Sequence, residues 1–156
     1  MTTKIASSNV NTASVATLTA AQTLTNKTIG PTAEIITITA AAPTATTNFD
    51  LSTQAVQFYT SAATTNFTLN IRGSSGVPLN TLMAIGSSMS LVLVLTLGAT
   101  GYYPSVFQID GVTVTPKWLG GTAAATNANT VALYSLTILK TAASTYTVLG
   151  SAAQFL

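Results

Sequence analysis

The stretch SMSLVLVLTL, Ser88 to Leu97, contains five consecutive large aliphatic residues, Leu91, Val92, Leu93, Val94 and Leu95, and no charge. Gly86 stands before it and Gly98 after it. A short apolar run bounded by glycines reads as a β-strand covered on both faces. It is too short to cross a bilayer, which takes about 20 apolar residues, and Ser87, Ser88, Ser90 and Thr96 interrupt it.

The segments on either side of this run have the character of further strands. Asn66 to Arg72 (NFTLNIR) alternates, with Phe67, Leu69 and Ile71 on one face and Thr68 and Asn70 on the other. Ala55 to Tyr59 puts Val56 and Phe58 on a common face, and Glu34 to Ala40 does the same for Ile36 and Ile38, with Ile35 opposite. Asn48-Phe49-Asp50 is expected to be a turn, and Gly73 to Gly76 a flexible loop. Pro78 to Ile85 has room for one short helix with Asn80 as its cap. Beyond the central run, Val106, Phe107 and Ile109 lead to Asp110-Gly111, the strongest hairpin signal in the chain, and Val112 to Thr115 is the return strand. Val131 to Leu139 offers Leu133, Leu136 and Ile138 to the core, and Tyr146 to Leu149 closes the set. No repeat is evident at a solenoid period. Many short strands with turn signals between them predict an all-β domain, a β-sandwich of jelly-roll-like character, over residues 31–156.

Residues 1–30 differ. Their large apolar residues are few, Ile5, Val10, Val15, Leu18, Leu24 and Ile29, set among Thr, Ser, Asn and Ala. Such a segment cannot bury enough apolar surface to fold alone. An extended N-terminal arm that docks on a neighbour through those six residues is the expectation. The alternatives are a weak amphipathic helix over Val10 to Ala21 and a disordered tail. Gly30-Pro31 marks the boundary.

Composition narrows the function classes. Only 5% of the 156 residues are charged, against about 25% in ordinary soluble domains. The net charge of +2 comes from five scattered bases and three acids. Nucleic-acid binding needs clustered Lys and Arg, so no nucleic-acid partner is expected. No apolar core of a signal peptide follows Lys4, and no membrane association is expected. The chain has neither Cys nor His, so it lacks a disulfide framework and the commonest general base and metal ligand. Its carboxylates, Glu34, Asp50 and Asp110, are assigned no paired catalytic role, the latter two being explained by loops. Lys117 and Lys140 are expected to be solvated charges at strand ends. No catalytic residue, metal or cofactor is therefore expected, and the chain is not expected to be an enzyme. A surface so poor in charge favours burial between subunits.

Several strings carry a resemblance. Thr23 to Ile29 (TLTNKTI) resembles the LTNKT element of phage tail-fibre and other virion proteins, where it joins an attachment segment to a β-rich module. FQIDG at Phe107–Gly111, KWLGG at Lys117–Gly121 and YSLTILKTAASTYTVLGSAAQF at Tyr134–Phe155 together resemble a C-terminal module of virion structural proteins from tailed phages, many of them cyanophages. That likeness covers roughly Leu79 to Phe155. It implies a virion protein made in the host cytoplasm. The form expected is a capsid decoration, or cement, protein on the outer capsid surface, a homotrimer bridging subunits of the major capsid protein. The alternative it implies is a tail-fibre or spike module that binds host-surface carbohydrate. Tyr102, Tyr103 and the sole tryptophan, Trp118, are then candidates either for a subunit interface or for stacking on a sugar.

Overall fold

The computed structural model of the chain describes residue 34, residues 36–122 and residues 126–156. The six apolar residues of the expected arm, Ile5 to Ile29, lie outside the described residues. The strands are β1 (Thr37–Thr39), β2 (Thr46–Asp50), β3 (Val56–Tyr59), β4 (Phe67–Arg72), β5 (Ser88–Thr96), β6 (Pro104–Ile109), β7 (Val112–Val114), β8 (Lys117–Trp118), β9 (Val131–Ala142) and β10 (Thr145–Phe155). One helical turn, α1 (Leu79–Leu82), precedes β5. The strands form a six-stranded sheet, ordered β1-β3-β5-β9-β10-β8, and a four-stranded sheet, ordered β2-β4-β6-β7. One core joins them. Leu91, Leu93, Leu95, Tyr134, Leu136 and Ile138 come from the larger sheet, and Phe49, Phe67, Leu69, Ile71, Phe107 and Ile109 from the smaller. The expected all-β sandwich is what the structure shows.

The winding is a finding the sequence did not announce. From β1 to β6 the chain alternates between the sheets, and each strand pairs in parallel with the next one in its own sheet. Jelly rolls, by contrast, are built from antiparallel strands. Thr37 lies beside Gln57 and Thr46 beside Thr68, a rung of roughly 20 residues, within the usual size of a stacked repeat. The next rung is longer, with Val56 beside Val92, because it contains the Gly73–Gly76 loop and α1. That insertion is why no solenoid period was evident. After β6 the chain changes style. β7 returns on β6, and β9 and β10 form a long antiparallel hairpin beside β5.

Burial follows the alternation on β4, where Phe67, Leu69 and Ile71 face the core as expected. Three other readings need correction, and one is completed. On β5 one face is core and the other only half-buried, at Val92 and Val94, because the smaller sheet covers a single side. On β1 the shared face of Ile36 and Ile38 is the outer one, the two side chains being 50% and 67% exposed while Thr37 and Thr39 are partly covered. Register forces this, since Thr37 and Thr39 stand beside the buried Gln57 and Tyr59. Asn48 to Asp50 is the end of β2 and not a turn. The buried Phe49 side chain makes that stretch a strand, and the turn comes one step later, where Asp50 O accepts from Thr53 N and Gln54 N. On β9, Leu136 and Ile138 are buried but Leu133 faces outward.

The helical turn is capped from a distance. Asp110 accepts from the backbone N–H of Leu79 (2.7 Å) and of Asn80 (3.0 Å). Asn80, the expected cap, instead accepts from Ser144 N through its side chain. Lys140 is not a solvated strand end. It is 5% exposed, and its Nζ donates to the carbonyls of Asn80 (2.5 Å) and Met83 (2.8 Å). Both ends of α1 are thus satisfied by opposite charges, in the sense that the helix dipole favours.

The Asp110-Gly111 turn has φ of 51° and 81°, the left-handed pair of a type I′ hairpin. A Cβ on Gly111 would meet nothing within 4 Å. Gly111→Val should therefore act through backbone strain alone and cost about 1–3 kcal/mol. Urea unfolding of the variant measures this, and an unchanged midpoint would mean that the turn is not strained.

Candidate functional site

Two features of the surface can engage another molecule. The first is built around Trp118. β8 pairs in parallel with β10, placing Trp118 beside Gly150. The indole lies across that glycine, where an added Cβ would come within 2.8 Å of its Cε3 and Cζ3. Trp118 meets Phe107 edge-to-face (ring centroids 5.4 Å apart, planes at 67°) and Tyr134 similarly (6.2 Å, 72°). Leu119 N donates to Gly150 O and Gly121 N to Trp118 O, which fixes the strand end in place. Gly120 and Gly121 make the following turn at φ of 79° and 89°.

Tyr103 and Trp118 line one open hollow of about 370 Å³, with Pro104, Phe107, Val114 and Pro116. Ser105, Thr113 and Thr115 are also part of its lining. Tyr102 is half-buried and does not line it. The structure therefore brings together two of the three aromatics singled out from the sequence. Such a lining offers aromatic rings for apolar contact and hydroxyl-bearing residues for hydrogen bonds.

The carboxylates are engaged elsewhere. Asp50 forms an ion pair with Arg72 across β2 and β4 (2.6 Å), and this hydrogen bond raises the Arg72 pKa. Asp110 holds the amides of α1.

The second feature is the outer face of the six-stranded sheet, which the sequence reading did not single out. In register across it run Ile38, Phe58, Val94, Leu133 and Ala153. A neighbouring row is Val56, Val92, Ser135 and Ser151. On β1, β3, β5, β9 and β10 this face carries no charged side chain, and Lys117 on β8 is the first one met. The signal was present in the double-sided apolar run of β5, whose Val92 and Val94 point to this face.

Two measurements probe the aromatic end. Gly150→Ala should push the indole from its seat, cost about 1–3 kcal/mol and shift the emission of the only tryptophan. An unshifted spectrum would mean the contact is loose. Burial, with a smaller contribution from Tyr103, raises the pKa of the Tyr134 phenol well above its ordinary value. The unfolded chain would release that proton near pH 10, before the folded chain does. Stability from this group is thus complete below about pH 10 and lost as the pH rises further. Tyr134→Phe should flatten the decline in Tm above that pH, and an equal decline in the variant would assign the effect elsewhere.

No protein family, no curated protein and no solved structure matches this chain.

Proposed function

We propose that this chain is a non-enzymatic structural protein of a tailed-phage particle, acting as a capsid decoration protein. In this reading it is made in the host cytoplasm and sits on the outer capsid surface as a homotrimer, where it bridges subunits of the major capsid protein. The observation that carries the reading is the disposition of charge. Asp50 and Arg72 pair with each other, Asp110 caps α1, and Lys140 is buried on carbonyls. Among the described residues only Glu34 and Lys117 remain as exposed charges without an ion-pair partner. Such a surface is poorly suited to life alone in solution and well suited to packing against protein on several sides. Attachment would add the arm, ordering on a neighbour through Ile5, Val10, Val15, Leu18, Leu24 and Ile29. Three copies joined in one trimer would turn weak contacts into persistent ones.

The hollow beside Tyr103 and Trp118 supports a second reading, a fibre or spike module that stacks a host-surface sugar on those rings. Antibody-labelled electron microscopy of virions separates the two, since decoration predicts label over the shell and a fibre predicts label at the tail. Under the decoration reading, a chain starting at Pro31 should co-sediment with undecorated shells at least about tenfold more weakly than the full chain. Equal binding would remove the arm from the mechanism.

A further inference from the structure

We infer that the outer face of the six-stranded sheet is the surface through which copies of this chain meet, each face packed on that of a second copy. The face has the anatomy of an interface. Its middle is apolar, with Phe58, Val92, Val94 and Leu133 half-buried and Ile38 exposed. Around that middle stand small uncharged residues, Ser88, Ser90, Ser135, Thr137 and Ser151. A desolvated apolar centre with a neutral polar rim is what protein interfaces contain, and charge is depleted there.

Size supports the same occupant. Five strands at about 4.8 Å spacing, paired over nine residues on β5 at about 3.3 Å each, span about 20 Å by 28 Å. Two such faces would remove on the order of 1,100 Å² from water, just above the ~1,000 Å² that a specific interface needs. A charge-free face gives a differently charged partner nothing to select, whereas an identical face matches it in chemistry and, for sheets of the same twist, in shape. Half-exposed Val and Leu side chains, standing in rows across the strands, can interdigitate at the ~10 Å separation of stacked sheets. This inference does not rest on the virion reading: two identical faces packed on each other make a two-fold dimer of the purified chain, so the trimer of that reading would need a separate contact.

The test is sedimentation velocity of the full chain at tens of micromolar, with circular dichroism as the check on folding. The wild-type chain should sediment as a dimer, and Val94→Lys, which places a charge at the centre of the face, should be monomeric with an unchanged spectrum. Should Val94→Lys fail to fold, Ile38→Lys serves instead. That side chain is 67% exposed already, and the variant should weaken association at least about tenfold. Val112→Lys, 69% exposed on the smaller sheet, should associate like wild type. A monomeric wild-type chain overturns the inference, whether the chain itself or a shell subunit then covers the face. Folded Val94→Lys or Ile38→Lys that associates as wild type does overturns it equally.

Discussion

β5 pairs with β9 residue by residue, from Ser88 beside Leu139 to Thr96 beside Val131, and this pairing holds two differently built halves in one sheet. On one side β5 continues the parallel stack through β3 and β1. On the other it begins an antiparallel region that β9 and β10 complete. Leu91, Leu93 and Leu95 face the core from this junction, each gaining roughly 1.5–3 kcal/mol by full burial. Without β9 the stack would end at an open β5 edge. Without β5, the β9–β10 hairpin would have the smaller sheet to pack on but no long strand to pair with.

The scarce charges reinforce that junction. α1 fills the long connection between β4 and β5, a place where a backbone would otherwise leave amides and carbonyls unmatched. Asp110, from the hairpin of the smaller sheet, takes the amides, and Lys140, from β9 of the larger sheet, takes the carbonyls. One helical turn thereby ties the sheets together. The hydrogen bonds are charge-assisted, and hydrogen bonds to charged groups contribute about 1.5–3 kcal/mol each. Removing Asp110 would leave the amides of Leu79 and Asn80 without this acceptor, and removing Lys140 the carbonyls of Asn80 and Met83 without this donor.

Much of this fold was legible in the residues. The alternation of Phe67, Leu69 and Ile71 placed β4, and the Asp110-Gly111 pair placed the hairpin, because both signals are local. What the residues hid was set at long range. The orientation of β1 follows from its parallel neighbour, so the more hydrophobic Ile38 points outward and Thr37 points in. Phe49 sits in a stretch whose Asn and Asp suggest a turn, and only its burial against the other sheet makes it part of a strand. The cap of α1 comes from Asp110 in the β6–β7 turn, which no motif near α1 announces. At the candidate site, Tyr103 and Trp118 stood out by type alone. The outer face did not, because its rows are assembled from five strands.

The mixed winding also bears on how the molecule comes into being. A hairpin such as β9–β10 closes locally, in microseconds, whereas each parallel pair must first close a loop of roughly 20 residues or more. Non-local pairing of this kind slows folding and prolongs the exposure of apolar strands. On the ribosome the order is worse still, since β1 to β6 emerge first and the antiparallel partner of β5 is made last. The stack then waits, with the β5 edge unpaired and both of its faces apolar, until residues beyond Val131 arrive. Crowding among nascent copies would be most hazardous in that interval, so the serines and threonines spread through these strands are as much a safeguard for the unfinished chain as a feature of the finished one.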